Sequence, residues 1–124
     1  MAYDVHVVRT QNWLDASKSP ISKEDVDTAI ANDRELGWAA SDYIEMPDDG
    51  GAITRYSMIA WNGVSCFYWF KDQIICSGPD EQQMVKLCNL AQVLNAYVVG
   101  DDDERYELRK NFLGRKKLVT LPAE

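Results

Sequence analysis

The stretch "AITRYSMIAWNGVSCFYWFKDQIICS" (52–77) constrains the fold more than any other part of the chain. At its centre is Asn62-Gly63, between two runs rich in β-branched and aromatic residues. Asn-Gly tolerates positive φ at both central positions of a two-residue turn, and that turn matches the twist of paired strands. Before the turn, Ile53, Arg55, Ser57, Ile59 and Trp61 alternate with Thr54, Tyr56, Met58 and Ala60. A period of two marks a strand with two different faces. After it, "VSCFYWF" reads as the partner strand, with Cys66, Tyr68 and Phe70 on one face and Phe67 and Trp69 on the other. Lys71-Asp72 then turns the chain into "QIICS". "WAASDYIEM", joined through the acidic turn "PDDGG" (47–51), adds a strand in front. Gly37–Ser77 therefore predicts an antiparallel meander.

Two helices flank it. In "ISKEDVDTAIANDREL", Ser22 is an N-cap and Asp25 stands at capping-box spacing, with Ile21 placed to staple onto Val26. The predicted helix runs Ser22–Leu36. In "GPDEQQMVKLCNLAQVLNAY", Pro79, Asp80 and Glu81 suit a first turn. Met84, Leu87, Cys88, Ala91 and Leu94 make its buried face, and the predicted helix runs Pro79–Tyr97. "YDVHVVR" (3–9) and "YVV" (97–99) read as further strands. The expected fold is α+β: an antiparallel sheet of about five or six strands packed with two α-helices. Residues 1–106 form one domain. Residues 107–124 form a basic tail, partly docked, read as a short helix followed by an extended end.

The 124 residues carry a formal net charge of −7, unevenly placed. From Arg105 onward there are six cations and two acids, so the preceding body holds −11. Such a body repels phosphate, which opposes nucleic acid as a partner, and attracts basic proteins. The run "GDDDERYELR" concentrates the sign change, with Asp101, Asp102, Asp103 and Glu104 in a row. It is not an EF-hand loop, because Arg105 and Tyr106 stand where ligand and glycine are needed. No P-loop, G-x-G-x-x-G or G-x-S-x-G occurs. The single histidine, His6, lies in a strand, and Cys66, Cys76 and Cys88 are widely spaced in apolar settings that raise a thiol pKa. No catalytic group, metal or cofactor is expected. Neither a signal peptide nor an apolar run near ~20 residues is present, so the expectation is a cytoplasmic protein with no membrane partner.

The order of motifs carries a resemblance. Trp61-Asn62-Gly63, Phe67-Tyr68-Trp69, Lys71-Asp72-Gln73-Ile74, Pro79-Asp80-Glu81, Leu94-Asn95-Ala96 and Gly100–Glu104 with Tyr106 occur in sequence. Together they resemble small acidic bacterial proteins with a W-x-G, F-x-W, D-G-x-I, P-D-E, G-D-D-G-E-x-Y pattern. Several such proteins resemble immunity proteins, which neutralise toxins delivered by contact-dependent inhibition or type VI secretion. The chain departs from the pattern at Gln73, Asn95 and Asp103, where the pattern has glycine. The resemblance implies a non-enzymatic protein that binds a cognate toxin, and the acidic surface favours a basic, nuclease-type one. The acids expected to face that toxin are Asp48, Asp49, Asp101, Asp102, Asp103 and Glu104, with Tyr106, Tyr43 and exposed tryptophans as anchors. An alternative is a small enzyme or ligand-binding domain with a pocket lined by Trp38, Trp61, Trp69 and Tyr68. Pairing of the chain with itself is left open.

Overall fold

A computed structural model describes residues 3–47 and 50–122, with backbone alone for 40–46 and 54–56. The fold is α+β with one antiparallel sheet. Among the described residues the sheet has eight strands rather than five or six. In chain order they are β1 (Asp4–Val8), β2 (Leu36–Pro47), β3 (Ile53–Trp61), β4 (Val64–Phe70), β5 (Gln73–Ser77), β6 (Tyr97–Gly100), β7 (Arg105–Lys110) and β8 (Lys116–Leu121). The helices are α1 (Lys23–Ala31) and α2 (Glu81–Val93), and a 3₁₀ helix covers Trp13–Lys18. The strand order is β2-β3-β4-β5-β1-β6-β7-β8.

The meander forms as its turn residues dictate. Asn62 (φ 51°) and Gly63 (φ 83°) both occupy the left-handed region, the geometry a type I′ turn requires. Trp61 then faces Val64 across the hairpin. One detail departs from simple alternation. Ile59 pairs with Phe67 but Ala60 pairs with Ser65, so Cys66 is an extra residue in β4. The bulge lets both Cys66 and Phe67 pack against the helical core, where alternation had put them on opposite faces.

The two extra strands come from the tail. Arg105–Lys110 and Lys116–Leu121 pair in register from Arg105↔Leu121 to Lys110↔Lys116. The domain boundary expected after Tyr106 therefore falls inside β7, and the expected short helix there is a hairpin. Alternation explains the outcome. Tyr106, Leu108 and Leu118 turn their apolar side chains onto the helical core, while Arg105, Glu107 and Arg109 take the other face.

Both α-helices cover one face. Ser22 accepts from Asp25 N, and the Asp25 carboxylate accepts from Ser22 N, completing the capping box. Asp80 and Gln83 make the same reciprocal cap on α2. Both helices end sooner than periodicity alone suggests. α1 stops at Ala31 because Leu36 is needed as the first residue of β2, and α2 stops at Val93 before Asn95 (φ 56°). Beneath them Val5, Val7, Ile59, Phe67, Ile74 and Val98 build the core with Val26, Leu87 and Leu94. On the far face, Val8 and Val99 are covered by Ala16 and Trp13 of the 3₁₀ helix.

Candidate protein-binding surface

Antiparallel connectivity sorts the turns to two ends of the sheet. At one end lie the α1–β2 link, the β3–β4 turn, the β5–α2 link, the start of β1 and the β6–β7 turn. Backbone bonds from Asn62 N to Glu35 O (2.7 Å) and Gly78 N to Tyr3 O (2.8 Å) tie these segments side by side. The acids gathered there are Asp4, Asp33, Glu35, Asp80, Glu81 and the four of the acidic run, nine in all. Arg34, Lys86 and Arg105, the first residue of β7, are the cations among them. Lys86 is 7% exposed, and its ammonium donates to Asp33 (2.7 Å) and Glu35 (2.6 Å). Hydrogen bonds from Lys86 hold both carboxyls below their usual range. Burial opposes the charge on Lys86, but the two carboxylates outweigh it and its pKa is raised.

The acidic run itself is mostly turned inward. Asp101 is the centre of one network: its carboxylate receives Asp4 N at 2.9 Å and lies 2.9 Å from His6 Nε2. The other nitrogen of His6 is 2.7 Å from Gln73 Oε1, and its ring stacks on Trp13 at 4.4 Å. Trp13 closes the network, donating from its indole to Asp101 O (3.1 Å) and from its backbone to Asp103 (3.3 Å). Glu104 turns to the helical side and accepts from the hydroxyls of Tyr3 and Tyr106. Desolvation raises the pKa of Asp101 and of Glu104. The bonds from His6 and Asp4 to the former, and from Tyr3 and Tyr106 to the latter, more than offset it, so both carboxyls are held low. Burial, then Glu104, push the Tyr3 phenol up to about 12. Of the four acids only Asp102 is exposed. Tyr106, expected as an anchor for a partner, is half-buried and faces Glu104 and the core.

Asp48 and Asp49 lie outside the described residues, and Tyr43 falls in the backbone-only stretch. The expected aromatic pocket is not one pocket. Trp38, Trp61 and Trp69 share the helical face, whereas Tyr68 pairs with Met58 and Ile75 on the other. Trp69 anchors the chain before α1 by donating to Ile21 O (3.0 Å), and Trp38 donates to Asp27 (2.6 Å). Trp61 is different. It forms the floor of an open cleft of about 510 Å³ with Glu81, Gln82 and Val85, inside the acidic end. The cysteines offer no thiolate: burial raises all three, Cys76 to about 12 and Cys88 to about 11.

Sequence reading missed His6, Trp13 and Lys86 as parts of this end. Their signals were present but mute about partners. His6 is the one polar residue inside "VHVV", and Lys86 interrupts the apolar face of α2. No protein family, curated protein or solved structure matches this chain.

Proposed function

We propose that the chain is an immunity-type protein that binds and neutralises a basic, nuclease-type toxin through its acidic end. The observation that carries the reading is the gathering of nine acids from four separate segments at the end of the sheet that also holds the Trp61 cleft. A nuclease must hold phosphate, so its substrate site is cationic. An acidic surface is steered to such a site and competes with the nucleic acid for it. Trp61 and Val85 supply the apolar centre that a tight interface needs, with Glu81 on its rim and Asp102 exposed farther along the same end.

The test is co-purification with a toxin domain encoded beside this chain, followed by binding kinetics. The doubly reversed variant Glu81→Lys, Asp102→Lys is expected to slow association about tenfold or more at low salt. It should also lose protection of cells that express the toxin. A chain that neither binds such a toxin nor protects cells from it would sink the reading.

A further inference from the structure

The opposite end of the molecule carries the complementary surface. Between β7 and β8 the hairpin tip lifts Phe112 to 95% exposure and Leu113 to 67%. Behind the tip stand Arg109, Lys110, Arg115, Lys116 and Lys117, all exposed. Among the described residues no ion pair joins Arg115, Lys116 or Lys117 to an acid, and Arg109 pairs only with its neighbour Glu107 (3.1 Å). Lysines on an edge strand also guard against unwanted pairing, and β8 is an edge. That accounts for Lys116 and Lys117 but not for an aromatic ring held out in water.

The tip cannot reach the acidic end of its own chain. β7 and its six residues separate it from the acidic run, roughly 20 Å at strand rise, more than twice the ~8 Å screening length. The Trp61 cleft lies farther still, since β3 and β8 are separated by five strands, six spacings or roughly 29 Å.

We infer that the hairpin docks on a second copy of this chain, with Phe112 and Leu113 in the Trp61–Val85 cleft and the hairpin cations against its acids. This goes beyond the toxin reading but uses the same acidic end, so a bound toxin would displace the hairpin. Charge complementarity selects the occupant: Glu81 rims the cleft and Asp80 stands beside it, neither ion-paired among the described residues, whereas Glu35 is already held by Lys86, and the hairpin brings five cations around an apolar tip. A hairpin-to-cleft contact joins two different patches, so a bound pair still has one free hairpin and one free cleft. Association then builds open chains or a closed ring rather than a two-fold dimer.

Sedimentation velocity of the full chain across concentration and salt tests this without any toxin, so its result is separate from the toxin reading. Wild type is expected to self-associate at low salt and to dissociate as salt rises. Phe112→Asp should weaken association about tenfold or more. The decisive arm mixes two blocked variants, a cleft variant (Glu81→Lys, Gln82→Lys) and a hairpin variant (Lys116→Glu, Lys117→Glu). Each alone should be monomeric. The mixture should give a 1:1 complex and nothing larger, because the cleft variant still offers a hairpin and the hairpin variant still offers a cleft. Monomeric wild type at high concentration and low salt would overturn the inference. So would association indifferent to Phe112→Asp, or a hairpin that binds anionic vesicles or nucleic acid while the chain stays monomeric.

Discussion

Strand β7 begins and ends in turns of opposite sign, and the two are built on opposite principles. The acidic turn is held mainly by groups from far away in sequence: Asp4 N, His6, Trp13 and Tyr3 all reach it, and only Tyr106 is local. The basic turn is held by its own residues. Asn111 accepts from Leu113 N (2.9 Å) and Arg115 N (3.0 Å), and Gly114 (φ 80°) takes the left-handed position. The fold therefore uses the acids and leaves the cations unused. A run of like charges does not declare itself as surface; the donors that meet it decide.

The sharpest way to break this comparison is to remove an acid at the centre of the network. Asp101→Ala leaves Asp4 N and His6 without their acceptor beneath the Trp13 ring. Unsatisfied buried groups cost about 1–3 kcal/mol each, so a loss of about 2 kcal/mol is expected in urea unfolding. Asp102→Ala, on the exposed neighbour, should stay within about 0.5 kcal/mol. Equal losses from the two variants would mean that the run is a uniform solvated face after all.

Gly100 is expected to matter next. A Cβ added there would strike the Glu104 carboxylate, which Tyr3 and Tyr106 hold in place. Gly100→Ala should lower stability by about 1–2 kcal/mol, because the carboxylate must leave both phenols. The same substitution with Glu104→Ala already present should cost much less. Additive losses would show that the close approach is not the reason for glycine.

Within the acidic turn the pH dependence runs in both directions. Asp101 and Glu104 are held below their unfolded values, so their contribution to stability is present above about pH 4 and is lost as pH falls through the folded pKa. The gap between wild type and Asp101→Ala should therefore narrow when urea midpoints are measured near pH 3 rather than pH 7. Tyr3 works in the other direction: its pKa is raised, so its contribution is complete below about pH 10 and fades as pH rises toward 12.

How much of this was legible follows from the range of the interactions. Turns and caps are local, and most read correctly: Asn62-Gly63, Lys71-Asp72 (Lys71 φ 53°) and the Ser22 box, while α2 starts at Glu81 with Asp80 as its cap rather than at Pro79. The meander and the α+β class follow from them. In the tail the apolar residues point to docking and an extended end, but its first part reads as a short helix where β7 forms. Only pairing with β6 and with itself turns Tyr106, Leu108 and Leu118 inward. The inward acidic run was illegible for the same reason: its partners lie 88 to 101 residues away in sequence. The acidic end as a whole needed the strand order, since Asp33, Asp80 and Asp101 fall at one end only through the antiparallel arrangement of the sheet.

The smallest expected effect is also the one that defines the basic turn. Phe112 is 95% exposed, and the turn keeps its shape through Asn111 and Gly114 without it. Phe112→Asp should change unfolding stability by less than about 0.5 kcal/mol, the usual range for a surface site with no partner. Added charge there should even favour the monomer, since it meets five cations across the hairpin. The same variant is the one expected to weaken self-association about tenfold or more. Stability and association are then uncoupled at one residue, which is what a side chain kept for an intermolecular contact requires. A loss above about 1 kcal/mol would mean instead that the ring packs on its own fold, and the contrast between the two turns of β7 would disappear.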